Sequence, residues 1–230
     1  MTSIESRIRS LGDELPPNVR LVAVSKFHPA SRIREAYDTG QRVFGENRVQ
    51  ELVEKQPQLP PDAEWHFIGS LQRNKVKLIV PFIACIHSLD SERLMLEIER
   101  QAAEINRVVP CLLELHVAQE ESKSGFLPDE CRKFLAEGRW RDCPHIRISG
   151  IMGMATFTDD ETQIRKEFRL LKSLFEEFKA DYFAESPSFK EISMGMSDDY
   201  PIAVEEGSTM LRIGSLIFGA RGRGILKMEG

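Results

Sequence analysis

Lys26 attracts attention because it places a single amine at the end of an apolar segment. Residues 19–25 read VRLVAVS, which is typical of a strand buried in a parallel sheet. A strand that stops at a lysine exposes a nucleophilic nitrogen at the edge of that sheet. Such an amine can pair with a carboxylate such as Glu46, hold a phosphate, or form an imine with a carbonyl compound.

A second set of candidate residues, Gly207, Ser208 and Thr209, lies at the start of the last predicted strand. Glycine permits close backbone approach and two hydroxyls can donate, so the segment predicts a phosphate site, with an ordinary turn as the alternative. The RGRG sequence at 221–224 would add cationic and amide donors, and barrels often hold phosphate after their last two strands. An amine together with a phosphate site favours pyridoxal 5'-phosphate (PLP) as the ligand.

Arg212, inside the last predicted strand, bears on what such a cofactor could do. A guanidinium that faces a pyridine nitrogen disfavours protonation of that nitrogen, which makes the ring a weaker electron sink. A barrel enzyme that acts on a sugar phosphate without PLP remains an alternative.

Eight short apolar runs alternate with amphipathic stretches and must position these residues. The predicted strands cover residues 19–25, 42–45, 65–68, 82–87, 110–117, 146–150, 191–194 and 209–213. The predicted helices cover residues 1–13, 29–39, 48–55, 74–80, 91–106, 128–137, 161–180 and 197–206. This order predicts an α/β fold, a single (β/α)8 TIM-type barrel with an extra N-terminal helix, formed by residues 1–230 as one domain. An open doubly wound sheet is the alternative.

The composition limits the possible partners. A net charge of −5 over 230 residues argues against nucleic acid, and no apolar run reaches the length of a membrane span. The N-terminus lacks the apolar core of a signal peptide, so we expect a cytoplasmic protein. None of the four cysteines forms a CxxC pair, and Cys85 and Cys111 are predicted to be buried thiols.

Seven ordered motifs resemble the YggS/PROSC family, the pyridoxal phosphate homeostasis proteins. They are AVSK at 23–26, FGENRVQE at 44–51, WHFIG at 65–69, SKSGF at 122–126, GIMGMAT at 150–156, SMGMSDDY at 193–200 and GSTMLRIG at 207–214. The resemblance implies an alanine racemase-like barrel that is a monomer and carries PLP as an imine on Lys26. His116 departs from the pattern, because many members carry Asn there.

The resemblance also assigns roles to further residues. It implies phosphate contacts at Ser208 and Thr209 and places Arg212 against the pyridine nitrogen. The remaining implied site residues are Asn47, His66, Ser193 and Met194. Two of these have structural alternatives, because Asn47 can cap the helix that follows and His66 can be a hydrogen-bonded core histidine.

The family role implied is control of free PLP by buffering it or delivering it to apo PLP-dependent enzymes, without established turnover. A PLP-dependent racemase or lyase-type enzyme is the alternative. Racemisation needs acid–base groups on both faces of the substrate carbon. We expect no second domain to supply the second group, and none of the three tyrosines is an obvious substitute, so the sequence favours binding over catalysis.

Overall fold

The computed structural model describes residues 3–120 and 124–219, and its centre is a closed barrel of parallel strands. The strands are Arg20–Val24 (β1), Val43–Glu46 (β2), Glu64–Phe67 (β3), Cys85–Leu89 (β4), Val109–Leu115 (β5), Ile146–Gly153 (β6), Glu191–Ser193 (β7) and Met210–Ile213 (β8). They pair in chain order, and β8 pairs with β1 to close the ring. This confirms the predicted (β/α)8 barrel and excludes the open sheet.

Helices surround the barrel and connect its strands. They are Ile4–Glu14 (α1), Ala30–Asp38 (α2), Val49–Lys55 (α3), Val76–Ile79 (α4), Glu92–Glu104 (α5), Pro128–Glu137 (α6), Glu161–Asp181 (α7), Tyr200–Glu205 (α8) and Ser215–Phe218 (α9). The extra N-terminal helix is therefore confirmed, whereas the short α9 was not predicted. Across residues 3–120 and 124–219, we find no helix with the length and apolar character needed to span a bilayer.

An outer core lies between the strands and the helices. On α7, Phe168, Leu171, Leu174 and Phe178 recur at helical spacing and are all buried. Full burial of side chains of this size is worth about 1.5–3 kcal/mol each, so this stripe holds α7 against the barrel. The four cysteines are buried and unpaired, as predicted for Cys85 and Cys111.

The inside of the barrel holds a separate and more polar set of side chains. A small apolar cluster of Cys85, Leu112 and Met152 lies apart from the outer core. Because successive side chains of a strand point to opposite faces, each strand sends every second residue into this interior. In β8 this parity gives Leu211 and Ile213 to the outer core and leaves Arg212 to the interior.

Candidate functional site

Three of the predicted site residues meet in one cavity where the strands end. Lys26, Asn47 and Arg212 line a cavity of about 480 Å³. Lys26 follows the end of β1 and Asn47 follows the end of β2. The carboxyl ends of the strands are where barrels of this fold carry their functional groups. The structure thus brings together an amine, an amide and a guanidinium.

A buried cluster holds the backbone before Lys26. We call Ser25, Glu46, Glu51 and Lys55 the strand-1 clamp. The Ser25 hydroxyl donates to Glu46 Oε1 at 2.6 Å, and the Lys55 ammonium donates to the same oxygen at 2.8 Å. Lys55 also donates to the Ser25 carbonyl at 3.1 Å and to Glu51 Oε2 at 2.8 Å. Glu46 therefore forms its ion pair with Lys55 of α3 and not with a side chain that lines the cavity.

The same cluster fixes the backbone after Lys26. Phe27 has a φ of 67°, in the left-handed region that side-chain-bearing residues rarely adopt. Its amide donates to Glu51 Oε2 at 2.9 Å. Burial raises the pKa of Glu46, while the hydrogen bonds from Lys55 and Phe27 lower the pKa of Glu51 despite its partial burial. The amine at Lys26 is thus presented from a backbone that is held on both sides.

Asn47 lies in the cavity with a buried oxygen that has no hydrogen-bond partner among the described residues. This atom is the amide Oδ1. A Cβ at Gly69 would stand 2.4 Å from the Asn47 carbonyl oxygen, so only glycine lets the end of β3 approach this closely. Buried polar atoms are normally paired, and the orphaned oxygen therefore indicates a ligand group in the cavity.

Arg212 is buried at the floor of the cavity and is held by three hydrogen bonds. Its guanidinium donates to Ser193 O and Ser193 Oγ, both at 2.7 Å, and to Gly153 O at 3.0 Å. Burial lowers the pKa of Arg212 to about 10, and the charges of Asp199 and Glu114 oppose this shift. Arg212 is consequently still a cation at neutral pH.

His66 and Ser193 lie deeper in the barrel. Ile68, two residues beyond His66 on the same side of the strand, lines the cavity. His66 Nδ1 is 2.9 Å from His87 Nε2, and His87 Nδ1 is 3.1 Å from Ser193 Oγ. Burial lowers the pKa of His66 to about 3 and that of His87 well below its usual value, so both are neutral at pH 7. The two histidines are connected to the cavity by hydrogen bonds through Ser193 and Arg212.

Met194 is not brought to the cavity. Its side chain is fully buried in the outer core, on the opposite side of β7 from Ser193. Met196, beyond the end of the strand, lines the cavity instead. The expectation that Met194 lines the site is corrected by the alternation of side chains along the strand.

The structure places Gly207, Ser208 and Thr209, where the sequence predicts a phosphate site, away from the cavity that Lys26 lines. These residues precede β8, so they lie at the amino-terminal end of the barrel. The Thr209 carbonyl accepts from the Arg20 amide, six residues before Lys26, which corresponds to about 20 Å along the strand. The Ser208 hydroxyl donates to the Met194 carbonyl at 2.8 Å, and Thr209 Oγ1 to Glu191 at 2.8 Å.

Sequence reasoning missed the groups that lie beside Lys26 at the correct end. Met196 and Ser197 follow β7, Gly214 and Ser215 follow β8, and all four line the cavity. The rule that phosphates bind after the last two strands points to these loops. Asp199, just before α8, accepts from the Met196 amide at 2.5 Å. Lys123 and the segment 221–224 lie outside the described residues.

The fold and the cavity together define a class: a parallel (β/α)8 barrel with a lysine and an arginine at its carboxyl rim. Residues 1–222 match the family model for the N-terminal domain of alanine racemase. The chain belongs to this family, within its group of pyridoxal phosphate homeostasis proteins, as the sequence motifs indicated.

Two relatives and one solved structure support this placement. A pyridoxal phosphate homeostasis protein of Aquifex aeolicus is 39% identical over 203 residues, which is 88% of this chain and 87% of the relative. One from Helicobacter pylori is 40% identical over 202 residues, 87% of each chain. The solved structure of PipY from Synechococcus elongatus is 38% identical in sequence to this chain. The match covers 94% of this chain and 100% of PipY. Its TM-score is 0.89 without PLP and 0.86 with PLP bound.

Proposed function

We propose that this protein binds PLP through an imine with Lys26 and holds it reversibly, to buffer the free cofactor or to deliver it to apo PLP-dependent enzymes. The observation that carries the proposal is that Lys26 and Arg212 line the same cavity. An amine can capture an aldehyde, and a buried cation placed beside it can orient an aromatic nitrogen heterocycle.

The residues of the cavity fit this cofactor. Its volume of about 480 Å³ lies in the range of small-ligand sites. The orphaned Asn47 Oδ1 lacks a donor that a ligand would supply. The phosphate group would be held by the loops after β7 and β8, where Ser197, Gly214 and Ser215 offer hydroxyls and backbone amides.

PLP supplies an aldehyde, which condenses with a primary amine to form a carbon–nitrogen double bond and release one water. Lys26 would supply the nitrogen of this bond as a neutral amine, and the two hydrogens it loses would leave with the aldehyde oxygen as the released water. The strand-1 clamp holds the backbone on both sides of this lysine, so its side chain starts from a fixed point at the cavity. PipY, with PLP bound, shows that a relative with this fold takes the cofactor.

Arg212 supports a holding role over a catalytic one. A guanidinium has only donors, so it can donate to an aromatic nitrogen but cannot accept a proton from one. The ring nitrogen of a cofactor placed here would stay neutral, and electrons from a substrate carbon would be drawn into the ring weakly. Among the described residues, no tyrosine or cysteine lines this cavity, and the acid–base side chains that line it besides Lys26 are His28 and Asp198.

Borohydride reduction of the purified protein tests the proposal. It should fix the cofactor mass on the peptide that contains Lys26, and Lys26→Ala should abolish the adduct. Lys133→Ala is the matched control, because the Lys133 side chain is 79% exposed on α6. A protein that gives no adduct at Lys26 after incubation with PLP would refute the proposal.

Incubation of the PLP-loaded protein with single-enantiomer amino acids in deuterated water tests the holding role. We expect no deuterium at the α-carbon above the level of Lys26→Ala. Transfer of bound PLP to an apo-enzyme, measured by recovered activity, should occur on mixing. Exchange well above the Lys26→Ala level would replace the holding role with catalysis.

A further inference from the structure

Two buried histidines, His66 and His87, form a hydrogen-bonded line that ends at Arg212. The line crosses the barrel from β3 through β4 to β7 and β8. Its contacts are 2.9 Å between the two histidines, 3.1 Å from His87 to Ser193, and 2.7 Å from Ser193 to Arg212. His66 is 2% exposed and His87 is fully buried, so water does not compete for these groups.

The guanidinium sets the direction of this line. Arg212 has only donors, so Ser193 Oγ must accept from it. The hydroxyl proton of Ser193 is then directed to His87 Nδ1, which acts as an acceptor. His87 therefore carries its proton on Nε2 and donates it to His66 Nδ1. The opposite direction would make Ser193 Oγ accept from both neighbours and leave its own proton outside the line.

Charge supports the same arrangement. Both histidines have pKa values lowered first by burial, and the nearby cations Arg20 and Arg212 lower that of His87 further. The acidic groups that face Arg212, namely Glu114 and Asp199, act on the arginine and not on the histidine pair. Two neutral imidazoles can each donate at one nitrogen and accept at the other, which a line of this kind requires.

We propose that His87 and His66 are positioning residues that orient the Arg212 guanidinium toward the cavity through Ser193. In a line with one direction, each group holds the next in a single orientation, and the guanidinium at its end is aimed at the bound ligand. This inference rests on the proposed function, because PLP is the ligand on which the orientation of Arg212 acts.

The first test needs no cofactor. Nitrogen-15 NMR of the apo protein reports which ring nitrogen of each histidine carries the proton. We expect Nε2–H for both, unchanged between pH 6 and 8. The Nδ1–H form at His87, or a charged ring in this range, would overturn the proposal even if every variant failed to fold.

The second test compares variants in the loaded protein. His87→Leu removes the acceptor for Ser193, whereas His87→Asn keeps an acceptor near the position of Nδ1. Cys85→Ala is the control, because Cys85 has its sulfur within 4.8 Å of both histidine ligand atoms but takes no part in the line. We expect His87→Leu to bind PLP about tenfold more weakly and to gain a pH-dependent change in the cofactor absorbance, because a loosened Arg212 would allow the ring nitrogen to be protonated.

The outcomes separate the two proposals. His87→Asn should recover most of the affinity and the absorbance profile of the native protein, and Cys85→Ala should match the native protein in both. Equal effects of Cys85→Ala and His87→Leu would mean that packing alone is responsible, which overturns the positioning role. If the native protein forms no adduct at Lys26, the proposed function itself fails, whatever the variants show.

Discussion

Replacement of Lys55 by methionine should strongly destabilise this barrel. The Lys55 side chain is 9% exposed and donates to Glu46, which is fully buried, and to Glu51. The strand-1 clamp contains two carboxylates and one ammonium, so Lys55→Met leaves the buried Glu46 carboxylate with no counter-charge, while Glu51 keeps Arg48 at 4.0 Å. Removing one partner of a buried pair costs about 3–5 kcal/mol.

Urea unfolding measures this cost. With a slope of about 2 kcal/mol/M, a loss of about 4 kcal/mol lowers the unfolding midpoint by about 2 M. Lys133→Met is the matched control, because Lys133 is exposed and stands 4.0 Å from Glu137. An exposed pair of this kind contributes about 0–1 kcal/mol, so the control should unfold close to the native midpoint.

A double variant shows where the energy comes from. If the loss in Lys55→Met arises from the uncompensated Glu46 carboxylate, then Lys55→Met with Glu46→Gln should be more stable than the sum of the single changes predicts, by more than about 1 kcal/mol. Additive effects, or a Lys55→Met protein within about 1 kcal/mol of the native one, would refute the reasoning. Because the Ser25 carbonyl loses its Lys55 donor, and Glu51, which accepts from the Phe27 amide, loses its ammonium partner, Lys55→Met should also form the Lys26 adduct more slowly.

Three further changes test other parts of the structure. The pKa of His66 falls from 6.5 to about 3 on folding, so the unfolded chain binds more protons in this range. Stability in urea should therefore decrease as the pH falls from 6.5 toward 3, by up to about 1.4 kcal/mol per pH unit from this residue, and His66→Leu should flatten the slope. Ser208→Ala should lower the free energy of unfolding by about 1 kcal/mol and leave the borohydride-trapped PLP unchanged, whereas loss of PLP would restore the phosphate site predicted there. Gly150→Ala would place a Cβ 1.9 Å from the Glu191 carbonyl oxygen. We therefore expect the free energy of unfolding to fall by more than about 3 kcal/mol, which thermal unfolding would show as a much lower Tm.

The fold could be predicted because each strand is a local apolar run closed by a glycine, a proline or a polar residue. Lys26 and Asn47 could be assigned to one site for a related reason: each lies within two residues of the end of a strand, and parallel strands end on the same rim. The distance of Ser208 from this cavity has the same origin, since a segment that precedes a strand must lie at the other rim. The prediction for Met194 did not take the alternation of side chains along β7 into account: Met194 follows the inward-facing Ser193 and therefore points outward.

The contacts that sequence spacing did not show are the long-range ones. His87 meets Ser193 across 106 residues, and Lys55 meets Ser25 across 30. No local pattern distinguishes a histidine inside a barrel from one on its outer face until the closure of the sheet is known. The cysteines were easier to interpret, because a thiol in an apolar run is buried in either case.

The wall of strands has a consequence for how this chain can change over time. It separates an apolar layer, where α7 packs, from a polar interior, where Arg212 and the histidines lie. Substitutions in the outer layer therefore alter the stability of the protein without changing the groups that line the cavity or lie beneath it. Thermal tolerance and ligand chemistry can consequently diverge independently among descendants of the same barrel.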